Sequence, residues 1–109
     1  MFDLMSLTQD LTLILQGFKA LGDPIRLEIL ERLRAQELCV CELCDVLDLK
    51  QSKLSFHLKI LKESELVLTR QEGRWIYYRL NLAQFIALES YLAAYRRFGE
   101  ILPARPCTD

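Results

Sequence analysis

Three thiols fall within six residues at Cys39-Val40-Cys41-Glu42-Leu43-Cys44. Thiolate sulfur is soft and prefers thiophilic ions to magnesium or calcium. Three sulfurs without a nearby fourth ligand suit an ion content with three-coordination, and trivalent arsenic or antimony fits that description best. The spacing sets a geometric condition. Cys41 and Cys44 are three apart and share a face if they lie on a helix, whereas Cys39 would point away if the helix extended back to it. All three converge only if Cys39 lies in the preceding turn or the helix start distorts. A helix N-terminus would also lower the thiol pKa values and favour the thiolates. Reading the three as inert apolar filling suits the charged surroundings poorly.

Other chemistries remain open for the same residues. Cadmium, lead or zinc could bind, although zinc normally takes four ligands and the fourth would have to come from Cys107, water or another subunit. Thiol oxidation is a further possibility. Cys41-Glu42-Leu43-Cys44 also has the spacing of a thiol oxidoreductase motif, but that chemistry belongs beside a βαβ unit, which the chain lacks. No acid or nucleophile accompanies the lone His57 at a useful spacing, so it reads as a structural or phosphate-side residue. Nothing else suggests an enzyme. Cys107, in a Pro-rich tail, reads as a free surface thiol.

The chain has 109 residues, 51% of them hydrophobic, enough for one small core that oligomerisation would enlarge. No apolar run approaches the roughly 18 residues of a membrane span, and Met1-Phe2-Asp3-Leu4 lacks the basic start of a signal peptide. A cytoplasmic protein with reduced cysteines is therefore expected. The formal net charge is −1, which argues against indiscriminate nucleic-acid binding. Locally the balance reverses: Lys50, Lys53, Lys59, Lys62, Arg70, Arg74 and Arg79 are opposed only by Glu63, Glu65 and Glu72.

The elements that must position these groups follow from periodicity. Leu7, Leu11, Leu15 and Phe18, with Leu21, predict a first helix stopped by Gly22. Asp23 as N-cap and Pro24 at the first helical position open a second, whose buried stripe is Leu27, Leu30 and Leu33 with Ile29 beside it. A short third helix is expected over 41–47. A fourth should run from about 51 to 64, with Leu54, Leu58 and Leu61 inward and Lys53, Ser55, Lys59 and Lys62 outward. The period then changes: 66–70 and 75–80 are β-prone around a Glu72-Gly73 turn, predicting a hairpin. Asn81 caps a last helix carrying Phe85, Leu88, Leu92 and Tyr95. The fold class is thus mainly α with a small β-hairpin, in the order of a winged helix-turn-helix. The whole of 1–109 reads as one DNA-binding domain, with dimerisation helices at about 7–21 and 82–98 and a flexible tail over 100–109. Both terminal helices carry more apolar surface than so thin a core consumes, hence the expected two-fold pairing.

Residues 15–95 resemble the ArsR/SmtB family of bacterial metal-responsive repressors. The resemblance rests on Lys19-Ala20-Leu21-Gly22-Asp23-Pro24-Ile25-Arg26-Leu27, the cysteine box from Glu37 to Cys44, Gln51-Ser52-Lys53-Leu54-Ser55-Phe56-His57-Leu58-Lys59-Ile60-Leu61, and Gly73-Arg74-Trp75-Ile76-Tyr77-Tyr78-Arg79-Leu80. The cysteine box looks like the version used by arsenite-responsive members. The resemblance implies a homodimer that holds double-stranded operator DNA, with no cofactor, until a trivalent metalloid bonds to Cys39, Cys41 and Cys44. It also implies DNA contact by Gln51, Ser52, Lys53, Ser55 and Lys59, whose amide, hydroxyl and ammonium groups suit base edges and phosphates, with Arg70 and Arg74 at the hairpin touching phosphate. The chain departs from the family at Glu65, where glycine is frequent, and at Phe56, where some relatives carry a polar residue. The last helix has no His and only Glu89 as an acid, which disfavours a zinc site there.

Overall fold

Asp23 makes the first sharp boundary. Its backbone is extended, its carboxylate accepts from the amides of Ile25 at 2.8 Å and Arg26 at 3.2 Å, and Pro24 follows at the start of the helix. Two of the helix's orphan amides are thereby satisfied. Burial pushes this carboxyl's pKa up, but the amides of Arg26 and Ile25, joined by the Arg26 guanidinium and His57, outweigh it and hold the value below the ordinary one. The stability this supplies is full above the ordinary carboxylate range and is lost as pH falls through the depressed folded-state value.

The computed structural model describes residues 4–97 and 99–107, with backbone only for residues 4–9. In chain order the elements are α1 (Leu4–Leu21), α2 (Pro24–Leu33), β1 (Leu38–Cys39), α3 (Val40–Leu47), α4 (Gln51–Glu63), β2 (Val67–Glu72), β3 (Trp75–Leu80) and α5 (Leu82–Arg96). The side chains of Leu7 and Phe98, assigned above to the terminal helices, lie outside the described residues. The expected winged helix-turn-helix is present: α3 and α4 form the helix-turn-helix, and β2 and β3 form the wing. Gly73, at φ +63°, supplies the left-handed turn between Glu72 and Trp75, which face each other across the ladder.

The structure extends one expectation and corrects another. The wing is a three-stranded antiparallel sheet in the order β1-β3-β2, because Leu38 and Cys39 pair with Tyr78 and Tyr77. In α2 the buried arc is Ile29, Leu30 and Leu33, while Leu27 lies round the helix from it and is 49% exposed.

The core is a single cluster in which Ile29, Leu43, Leu54, Leu58, Leu61, Leu66 and Val67 are almost wholly buried. It sits beneath α4 and fixes that helix's outward face. At the other end α1 crosses α5 at Gly17, where an added Cβ would lie 3.0 Å from Gln84 Nε2 and from Leu88 Cδ2. Gln84, buried in α5, uses this closeness: its amide nitrogen donates to the Leu13 carbonyl at 3.2 Å and to the Ser64 carbonyl at 3.0 Å. One side chain thus ties both terminal helices to the end of α4. Leu11, Leu15, Leu92 and Tyr95 remain exposed on those helices. No helix among the described residues is long and apolar enough to cross a membrane.

Candidate nucleic-acid interface and thiol segment

The leucine stripe of α4 leaves Gln51, Ser52, Lys53, Ser55 and Lys59 on the open side, all exposed. The sequence places Lys53, Ser55 and Lys59 outward, and the structure leaves all five exposed, spread round the solvent side of the helix. Lys50 caps the helix through its backbone with no side-chain hydrogen bond. Phe56 shares the open side at 61% exposure and packs edgewise on His57, with ring centroids 5.2 Å apart. An exposed aromatic on a basic helix offers apolar contact to a thymine methyl, although it has no hydrogen bond to give a base edge.

The orientation of α4 is locked from behind and at its end. His57 is only 6% exposed, and Arg26 Nη1 donates to its Nδ1 at 3.2 Å while Arg26 Nε donates to the Ala20 carbonyl at 2.7 Å. Arginine only donates, so Nδ1 is the acceptor; the Asp23 carboxylate, 3.9 Å away, is too far for a hydrogen bond. The structural reading of His57 fits this geometry. At the helix end the Leu66 amide donates to the Leu61 carbonyl and the Glu65 amide to the Lys62 carbonyl, both at 3.0 Å, forming a Schellman motif. Glu65 occupies its left-handed position at φ +60°. The turn expected of a glycine is therefore kept by a residue that adopts it at a cost.

The wing carries the two arginines assigned to phosphate. Arg74 is exposed beside the turn. Arg70 is held internally: Nε donates to Glu37 at 2.8 Å, Nη1 to Glu72 at 2.7 Å, and the guanidinium lies over the Tyr77 ring at 4.5 Å. The Glu37 and Glu72 hydrogen bonds push its pKa up. Glu37 was not singled out from the sequence, because its partner stands 33 residues away.

The thiols occupy three different environments. Cys39 is buried, ends β1 and is also the N-cap of α3; Cys41 is exposed in the first turn; Cys44 is partly buried one turn later. Cys39 therefore lies before the helix, as convergence requires. Glu42 closes a reciprocal cap, accepting from the Cys39 amide at 3.1 Å, and that amide first and the Cys39 thiol second hold its pKa down. The expected lowering of thiol pKa by the helix start does not apply to Cys44: burial pushes it up, and Cys41 and Asp45 add to the effect. The donor chemistry suits a thiophilic ion, yet among the described residues no group of three or more His, Cys, Asp or Glu is arranged to hold one. Cys107 is exposed in the tail.

A groove of about 210 Å³ lies between the two candidate surfaces, lined by Cys39, Val40, Cys41, Gln51, Arg74, Trp75 and Ile76. It brings thiols, the first residue of α4 and the wing into contact with one space, a proximity that rests on the unforeseen β1 pairing.

Comparison with known proteins agrees with this arrangement. A model of the arsR family of bacterial regulatory proteins matches residues 23–69, from the α2 cap into β2. The chain is 50% identical over 68 residues to the arsenical resistance operon repressor of Escherichia coli (strain K12), covering 62% of this chain and 58% of that one. Against the arsenical resistance operon repressor of Bacillus subtilis (strain 168) it is 42% identical over 88 residues, covering 78% and 84%. Among solved structures, a crystal structure of an ArsR family transcriptional regulator superposes with a TM-score of 0.70 at 29% identity, covering 83% and 90%. The chain belongs to the arsR family of bacterial regulatory proteins, winged-helix DNA-binding transcriptional regulators rather than enzymes.

Proposed function

We propose that this chain is a homodimeric repressor that grips double-stranded operator DNA with α4 and the wing and releases it when trivalent arsenic or antimony bonds to Cys39, Cys41 and Cys44. One observation carries the reading: Cys39 is at once the cap of α3 and the strand partner of Tyr77 in the wing sheet. A thiol so placed cannot move without disturbing both the helix that supports α4 and the sheet that supports the wing.

The switch then follows from the geometry. Each thiol gives its proton to a hydroxide leaving the metalloid, so three As–S or Sb–S bonds form and three waters depart. Cys41 and Cys44 already share a helical face, whereas Cys39 must leave its buried site to join them. That movement breaks the cap to Glu42 and strains the Cys39–Tyr77 pairing, favouring a DNA-incompetent arrangement. By linkage, DNA must weaken metalloid affinity by the same factor. Gln51, Ser52, Ser55 and Phe56 read base edges, while Lys53, Lys59 and Arg74 grip phosphate. The exposed apolar residues of α1 and α5 pair across a two-fold axis and present two copies of α4 to a palindromic site. The names of the curated relatives point to arsenic as the inducer.

The test is a mobility-shift titration on the chain's own upstream DNA, comparing arsenite, antimonite, cadmium and zinc at one salt concentration. Release by arsenite and antimonite at the lowest concentrations is expected, and release by cadmium or zinc alone would reassign the inducer. In the same assay Lys59→Ala should weaken binding to all sequences and lower the salt slope by about one, whereas Ser55→Ala should blur sequence choice. Unchanged DNA affinity in both variants would mean that another face reads DNA.

A further inference from the structure

The strand that seats Cys39 is weakly held by its own pairing. β1 meets β3 through two residues, Leu38 and Cys39, whereas β2 and β3 face each other over six. A pull on Cys39 acts first on the shorter pairing, so β1 would peel away and leave the wing in place. A second attachment changes this. Arg70 Nε and Nη2 both lie 2.8 Å from Oε1 of Glu37, the residue just ahead of β1. In the order β1-β3-β2 this pair reaches over the middle strand, across two strand spacings or about 10 Å of sheet.

Cys39 and Arg70 are both register partners of Tyr77, so the three side chains project in one row from one face of the sheet. The Arg70 guanidinium lies over the Tyr77 ring at 4.5 Å, and its Nη1 donates to Glu72 at 2.7 Å, beside the turn of the wing. Contacts thus run without a break from the residue two before Cys39 to the end of β2. The charges of this group oppose a place on DNA. One guanidinium faces two carboxylates, a local sum of −1, and a phosphate would have to displace Glu37 or Glu72 to reach it. The Glu37 side chain is also 27% exposed and the Arg70 side chain 45%, and two bonds to one carboxylate fix the geometry better than a single ammonium contact would.

We infer that Glu37 and Arg70 form a clamp that carries the displacement of Cys39 to β2 and the wing tip, acting as positioning residues for release of DNA. The inference rests on the arsenite-released repressor proposed above. With the clamp closed, Cys39 cannot leave its seat without shifting Arg70 and the Glu72-Gly73 turn. With the clamp opened by substitution, β1 comes away alone, the metalloid still bonds to the thiols, and the wing stays on the operator.

The test compares the parent, Glu37→Gln, Arg70→Gln and the double variant. Operator Kd is measured by fluorescence anisotropy without arsenite and at saturating arsenite, the saturating concentration being set for each chain by calorimetric titration of the free protein. The ratio of the two Kd values is the coupling factor. Both single variants should bind operator like the parent without arsenite, bind arsenite at least as tightly, and show a coupling factor lowered about three- to fivefold. Because the two residues act through one contact, the double variant should lose no more coupling than Arg70→Gln alone. The salt slope of Arg70→Gln should equal the parent's. Parental coupling in either single variant would overturn the clamp, and so would losses that add in the double variant. Lower operator affinity and a smaller salt slope in Arg70→Gln, with coupling intact, would return Arg70 to the phosphates and overturn it as well. The parent's own ratio separates the two ideas: a parent indifferent to arsenite overturns the release mechanism and the clamp together, whereas a responsive parent with equally responsive variants overturns the clamp alone.

Discussion

The recognition helix and the thiol segment are neighbours in sequence and opposites in construction. In α4 the inward face is Leu54, His57, Leu58 and Leu61, all buried, the back is tied to Arg26, and the end is closed by a Schellman motif. In the thiol segment the three sulfurs sit in buried, exposed and partly buried positions, and a single cap from Glu42 holds the start of α3. In the proposed switch, α4 is the preorganised part and the three thiols are the part still to be assembled. A repressor that binds DNA until a ligand arrives needs this division: a preorganised surface loses little entropy on the operator, and an unassembled ligand set turns ligation into movement.

The contrast predicts unequal costs of substitution. Leu58→Ala should destabilise the fold by about 2–5 kcal/mol through lost burial and a residual cavity. Cys41→Ser, at an exposed position, should stay within about 0.5 kcal/mol of the parent. Urea unfolding of both variants measures the difference, and comparable costs would break the comparison. A smaller effect is expected at the back of α4. Arg26→Ala leaves buried Nδ1 of His57 without its donor and should cost about 1–3 kcal/mol. It should weaken operator affinity as well, since α4 loses its tie to α2, and parental affinity would show that the tie does not position the reader.

A further effect, smaller than those at Leu58 and Arg26, is a gain. Glu65→Gly relieves the left-handed position at the end of α4, offset in part by glycine's greater backbone entropy, so stability should rise by about 1 kcal/mol or slightly less. Thermal unfolding with an unchanged operator affinity is the expected pair of results. A loss of stability would mean that the Glu65 side chain makes a compensating contact.

Most of the helix-turn-helix fold was legible from sequence because its determinants are local. Asp23-Pro24 announces a helix start by capping chemistry, the α4 stripe repeats at helical spacing, and Glu72-Gly73 marks the turn between β-prone runs. What sequence did not reveal is non-local. β1 is two residues long, too short for any periodicity, and exists only because Cys39 meets Tyr77. The Glu37–Arg70 ion pair depends on the same pairing, so Arg70 looked free for phosphate. Gln84 gave no signal as a polar residue in an apolar helix, since its value lies in two carbonyls contributed by α1 and α4. Leu27 satisfies the helical period equally well facing the core or the surface, and periodicity does not distinguish them. The three thiols suggest soft-donor chemistry from spacing alone, while the direction of the Cys44 shift depends on burial that no spacing encodes.

The central claim is that Cys39 couples metalloid bonding to both α3 and the wing. The direct measurement is arsenite-dependent release of fluorescent operator DNA, followed by anisotropy at one ionic strength, for the parent and for Cys39→Ser, Cys41→Ser, Cys44→Ser and Cys107→Ser. All five should bind operator alike. Cys107→Ser should release like the parent, Cys44→Ser should retain part of the response, and Cys39→Ser and Cys41→Ser should hold DNA at arsenite concentrations that empty the parent. Full parental release by Cys39→Ser and Cys41→Ser would contradict the account.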